Sequence, residues 1–224
     1  MTRTPPPVQP DERAPARKRG PAPRLSHDKI ADAALAVGFD AASVTSVASH
    51  LGVTHAALYR YIGDRDGMMR AALERATGDW EWPELVDDWR EVLWNEARGW
   101  WAFCEAHPGF VTALASTPGM PGPMSRRTVR VALQLRTLGV ASDDALIAVD
   151  LITDTIHDIF HRAAQRDGVI EGVIAMSSDE VEAHLEGVPD DMVEVIVNAL
   201  IGDPWPWFSR KLELIIDGLA ARNA

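Results

Sequence analysis

The sequence predicts an all-α protein in two parts, a small three-helix head followed by a larger helical bundle. Two observations carry this. From Ser26 onward apolar residues recur at three- and four-residue spacing, the period that gives a helix one apolar face, in segments bounded by capping residues, glycines and prolines. Charge is also unevenly shared: residues 1–75 hold 11 Lys+Arg against 8 Asp+Glu, a balance of +3, and residues 76–224 hold 11 against 25, a balance of -14. An acidic body with a basic head suggests that only the head approaches a polyanion. At 224 residues, 46% hydrophobic and 25% charged, the chain suits one large domain or a small one joined to a larger one. No run approaches the roughly 18 apolar residues of a membrane span, and the opening MTRTPPPVQP lacks the apolar core of a secretion signal. A cytoplasmic protein without a membrane partner is expected. The single cysteine, Cys104, has no second Cys for a disulfide, a metal knuckle or a redox pair.

Residues 1–24 carry seven prolines and six Lys/Arg, too little apolar surface to offset the entropy of ordering, and are expected to form a disordered basic arm. Its cluster Ala16–Arg24, ARKRGPAPR, suits phosphates or a minor groove, and equally a solvated tail. The head is expected over residues 25–75. Ser26 caps a first helix in which Ile30, Ala33, Ala34 and Val37 share a face, and Gly38 stops it. Ser43 caps a second, with Val44, Val47, Ala48 and Leu51 inward and Gly52 at its end. Thr54 caps a third, which turns Leu58 and Ile62 inward and His55, Ala56, Tyr59 and Arg60 outward. Two short helices joined by a three-residue turn with glycine form the helix-turn-helix pattern. A helical subdomain with no nucleic-acid role would ordinarily show Glu and Lys on its solvent face. This one shows His55, Tyr59, Arg60 and Tyr61, with no carboxylate from Gly52 to Gly63, as a phosphate-facing surface requires.

The stretch Ile30–Leu73, IADAALAVGFDAASVTSVASHLGVTHAALYRYIGDRDGMMRAAL, resembles the N-terminal domain of the tetracycline-repressor (TetR) family of bacterial transcription regulators. The elements GF, SV, VAS, GVT, ALYRYI and D-R-D fall at the family's spacing over about a fifth of the chain. Three positions depart from it: Ile62 stands where an aromatic is usual, Asp64 replaces a Ser cap, and Arg65 replaces a Lys. Each keeps the physical role. Gly67, in the first turn of the fourth helix, costs up to about 1 kcal/mol of helix propensity, with no reason evident in the sequence. The resemblance implies that Thr54, Tyr59, Tyr61 and Arg65 contact backbone phosphates of a double-stranded operator while His55, Ala56 and Arg60 lie nearest the base edges. That division matches hydroxyl and Arg chemistry.

Residues 76–224 are expected to bind an effector and dimerise. Residues 83–107 read as one long helix from Pro83, with Leu85, Trp89, Val92, Leu93, Trp100 and Phe103 on one side. Plain core is the ordinary meaning of such a stripe. Glu96 and His107 interrupt it, so each must be paired, hydrated, neutral or facing a cavity. An effector site is therefore expected at Trp89, Leu93, Glu96, Trp100 and Phe103, with Phe110, Met120 and Met124 nearby, for a small, mostly apolar molecule that is cationic or donor-rich. After Pro108 a short helix is expected, then a loop over Ser116–Ser125, whose three prolines and two glycines oppose regular structure.

Helices are next expected over about Arg126–Leu138 and Ser142–Gln165. The latter carries Ala145, Val149, Ile152, Ile156, Ile159 and Ala163 on one side. Asp150, Asp154, His157 and His161 share the other, where a solvated stripe is far commoner than a metal site; no metal or cofactor is expected. Residues 167–190 read as a mixed, partly helical excursion, followed by helices over Asp190–Ile201 and about Trp205–Ala221. The stripe Phe208, Leu212, Ile215 and Leu219, together with Ile152, Ile156 and Ile159, is implied by the resemblance to be a homodimer seam; intramolecular core is the alternative. The function so implied is a DNA-binding regulator, a ligand-responsive repressor on an inverted repeat. A constitutive DNA-binding dimer stays open as an alternative, as does an enzyme, although no GxGxxG, GxxxxGK[ST] or GxSxG occurs.

Overall fold

The computed structural model describes residues 25–164 and 186–223; the arm and nearly all of the excursion lie outside these. Among the described residues there are ten helices and no strand. They are α1 (His27–Val37), α2 (Val44–Leu51), α3 (His55–Ile62), α4 (Arg65–Asp79), α5 (Trp89–Ala106), α6 (Phe110–Ser116), α7 (Gly122–Thr137), α8 (Ser142–Ala163), α9 (Asp190–Ile201) and α10 (Pro204–Arg222). None is long and apolar enough to cross a membrane.

The helices of the head begin where local chemistry starts them. Ser26, Ser43, Thr54 and Asp64 each accept a backbone N–H of the first turn, satisfying donors that lack an intrahelical partner. Ser43 and Ser46 cap each other reciprocally, and Gly52 takes the left-handed conformation that turns the chain from α2 into α3. Gly67 has a reason after all. A Cβ there would meet the Ile62 carbonyl oxygen at 2.1 Å, so the tight corner between α3 and α4 admits only glycine. Helix α4 packs on α1 and continues past residue 75 to reach α6 and α7, so a single helix joins head to body.

Two boundaries in the body differ from the sequence expectation. The long aromatic helix begins at Trp89, capped by Asp88, and residues 80–88 lie along it as an extended strap. Trp82 packs on Trp100 with ring centres 4.6 Å apart, and a Cβ on Gly99 would come within 2.7 Å of Pro83. Tertiary packing thus holds this Pro83 segment outside the helix that it was expected to start. The proline-rich loop is also shorter than expected, because α7 begins at Gly122 with Pro123 in its first turn. Proline is tolerated there since first-turn N–H groups have no partner to lose.

One continuous core runs from Ile30, Val47 and Leu58 of the head through Met68 and Leu73 of α4 to Trp100, Phe103, Val149, Ile152 and Phe208 of the body. Ile152, Ile156, Ile159, Phe208, Leu212 and Leu219 are buried within this one chain, and Ile215 is half-buried. This corrects the dimer seam: α8 and α10 spend that stripe on each other and on α5. Their uncovered apolar side chains are Leu146, Ile147 and Leu151 on α8 and Leu214 on α10.

Candidate nucleic-acid interface and effector region

The head presents one chemically uniform face. Leu58 and Ile62 anchor α3 in the core, and Thr54, His55, Ala56, Tyr59, Arg60, Tyr61 and, at the start of α4, Arg65 are all exposed. In the first turn of α3 the Ala57 N–H bonds the Thr54 hydroxyl at 3.2 Å, and the Leu58 N–H bonds the Thr54 carbonyl at 3.2 Å. Among the described residues no carboxylate pairs with Arg60, and Arg65 pairs with the exposed Asp66 at 3.9 Å. Tyr61 packs edge-on against His27 at 6.0 Å, which steadies its ring and leaves the residue 39% exposed. Donors, two phenols and the unneutralised Arg60 on a helix anchored from behind can bind phosphates and reach base edges.

The expected effector region is packed differently from the way its sequence suggests. Leu93, Trp100 and Phe103 are fully buried, Met124 is buried, Trp89 is half-buried under the Arg90 guanidinium, and Met120 is exposed. Glu96 is the main correction. Its Oε2 accepts two bonds from Arg127, at 2.6 and 2.9 Å, and its Oε1 accepts from the Trp100 indole at 3.0 Å. Arg127 also donates to the Pro83 carbonyl at 3.1 Å. Burial pushes the Glu96 carboxyl above its ordinary pKa, against the charge of Arg127 and the hydrogen bonds from Arg127 and Trp100. This carboxylate is therefore spoken for: it ties α5 to α7 and the strap rather than selecting a ligand. Nothing at the sequence level linked it to Arg127, 31 residues away.

His157 also departs from expectation. Asp150 and Asp154 face solvent, but His157 turns inward, its ring 5.2 Å from that of Trp100 and 6.2 Å from that of Phe110. Among the described residues its Nε2 has no hydrogen-bond partner, and burial lowers its pKa to about 4. It is a half-buried imidazole turned against the aromatic core and no part of a solvated stripe. Among the described residues no three His, Cys, Asp or Glu side chains gather closely enough to hold a metal ion. Burial, with Glu105 adding to it, pushes the Cys104 thiol up to about 12, which keeps it protonated and a poor nucleophile.

Among the described residues, hollows open on the body at three places. One, of about 640 Å³, runs along α7 beside Leu85, Val129 and Leu133, with Arg126 and Arg130 on its edges. A second, of about 540 Å³, lies between α5, α8 and the start of α10. The third, of about 250 Å³, lies where body meets head: His107, Gly109 and Phe110 face Asp40 of the α1–α2 turn. Of the eight expected effector residues only Phe110 borders any of these hollows. At the same junction Phe39 packs on Phe110 and His107, with ring centres at 5.6 and 6.4 Å, and Gly109 takes a positive φ so close to Asp40 that a side chain would collide with it.

No protein-family model matches the chain. It is 29% identical over 141 residues to the HTH-type transcriptional repressor DrrR1 of Streptomyces coeruleorubidus, a match spanning 60% of this chain and 52%, about half, of that protein. Among solved structures it is similar to the TetR family protein ActR of Streptomyces coelicolor. In complex with (S)-DNPA the TM-score is 0.68 at 24% identity, covering 90% of this chain and 100% of that one. In complex with actinorhodin the TM-score is again 0.68 at 24% identity, over 89% and 97%. The chain has the fold of these TetR family proteins.

Proposed function

We propose that this protein is a transcription regulator, a repressor that binds an inverted-repeat operator as a homodimer and releases it when a small effector occupies the body. The observation that carries this reading is the exposed face of α3 with its cap, where Thr54, His55, Ala56, Tyr59, Arg60 and Tyr61 offer donors, aromatics, a cation and a methyl without a carboxylate on the helix, in a chain otherwise rich in acid. The similarity to a curated helix-turn-helix repressor supports it, as does a fold shared with a protein crystallised with two different small molecules. His55, Ala56 and Arg60 lie nearest the bases, and Thr54, Tyr59, Tyr61 and Arg65 hold phosphates.

The homodimer reading moves to the outward faces of α8 and α10, where Leu146, Ile147, Leu151 and Leu214 remain uncovered. Pairing there would set two recognition helices roughly 34 Å apart, one turn of DNA. The effector reading moves as well. A ligand acts by its differential affinity for two arrangements of head and body, and the contact that could transmit the difference is Phe39 and Asp40 against His107–Phe110. Selecting bound fragments from random DNA tests the whole: enrichment of an inverted repeat is expected, and enrichment of nothing, or of a single half-site, would refute the dimeric reader.

A further inference from the structure

We propose that the hollow between α5, α8 and α10 binds a small organic cation, an amine or quaternary ammonium carried on an aromatic or alkyl body. Its volume, about 540 Å³, falls in the range of small-molecule sites. Three helices each send an aromatic ring to it. Trp101 meets Phe160 at 5.1 Å and Trp205 at 4.8 Å, both edge to face, and Trp101 rests on the buried Phe208, which holds the box rigid from behind. Phe160 and Trp205 are only half-buried, so ring surface remains open to a guest. Partly open aromatic rings converging on one concavity suit a ligand better than they suit water.

The charge around this box fixes the class of guest. Glu105 and Asp203 stand in its lining, and each is locked in place by one of the tryptophans: Glu105 Oε1 accepts from the Trp101 indole at 2.9 Å, and Asp203 Oδ1 accepts the Trp205 backbone N–H at 3.0 Å. The second oxygen of each carboxylate has no partner among the described residues. The one basic residue of the lining, Arg98, is drawn to Glu91 and Asn95 at 3.0 and 3.1 Å. Aromatic surface and two fixed carboxylates attract a cation by ring quadrupole and Coulomb terms together and repel an anion. Glu105, Phe160 and Ala163 also line the hollow at the head–body junction. A regulatory effect of occupancy rests on the regulator reading above; binding itself does not.

The test uses the full-length protein without DNA and titrates (4-hydroxyphenyl)trimethylammonium and its uncharged isostere 4-tert-butylphenol by calorimetry. The cation is expected to bind about tenfold more tightly than the isostere, and the double variant Glu105→Gln, Asp203→Asn, which keeps both hydrogen bonds, to remove that advantage. Trp205→Leu should weaken both probes. Equal affinities for the two probes, no cation binding at millimolar concentration, or an unchanged double variant would overturn the proposal; should Trp205→Leu misfold, the double variant decides alone. Adding the cation to protein bound to a selected DNA fragment then separates the two readings: binding to the box that leaves DNA affinity unchanged supports the site and removes its regulatory role.

Discussion

The outward face of α3 and the inward face of α5 use similar side chains to opposite ends. On α3, His55, Tyr59 and Arg60 are held in water, unpaired among the described residues, by a helix whose other side is anchored through Leu58 and Ile62. On α5, the Glu96 carboxylate is taken out of water and satisfied by Arg127 and by the Trp100 indole, while His157 of α8 joins them with no partner for one nitrogen among the described residues. The difference shows what marks a binding surface. Polar groups left uncompensated in solvent are available to a partner, whereas the same groups in a core are already committed, because an unmet buried charge costs far more than any ligand contact is worth.

The strongest way to break this contrast is Arg127→Met. It strands the Glu96 carboxylate in an apolar site and should cost about 3 to 5 kcal/mol of unfolding free energy by urea titration, with Glu96→Leu added in the same chain restoring most of it. A small loss for Arg127→Met would mean that Glu96 has water or a ligand to turn to, as an effector site would provide.

The next effect is on pH. The folded chain binds a proton at His157 only near pH 4 while the unfolded chain does so near 6.5, so stability is intact above about 6.5 and is lost as pH falls between those values. The full effect approaches about 3 kcal/mol. His157→Phe should flatten the unfolding free energy between pH 6.5 and 5, where few carboxylates titrate; identical slopes in the two proteins would place the imidazole in solvent.

On the head, substitutions should spare the fold and change only recognition. Arg60→Ala is expected to cost about 1 to 3 kcal/mol on selected DNA and to relax one base pair, leaving random DNA nearly unaffected. Equal losses on both in a competition assay would make Arg60 a phosphate contact. The smallest effect is expected for Tyr59→Phe, which removes one exposed phenol and should weaken all DNA sequences alike by about 1 kcal/mol or less with no change in melting temperature.

The sequence by itself determined what depends on neighbours a few residues away. The caps at Ser26, Ser43, Thr54 and Asp64, the glycine turn at Gly52, the inward pair Leu58 and Ile62 and the acid-free outer face of α3 are all interactions within one or two helical turns, so residue type and spacing suffice to place them. The periodicity of α5, α8 and α10 was equally legible, but a period says which side of a helix is apolar and not what covers it. Only the tertiary structure turned the Ile152–Ile159 and Phe208–Leu219 stripes against each other, laid Trp82 and Pro83 along α5, and brought Arg127 across 31 residues to Glu96. It likewise gathered Trp101, Phe160 and Trp205 from three helices into one box. Such pairings bring together residues far apart in the chain, and which distant partner each side chain meets is fixed by how whole helices pack, a quantity no local spacing contains.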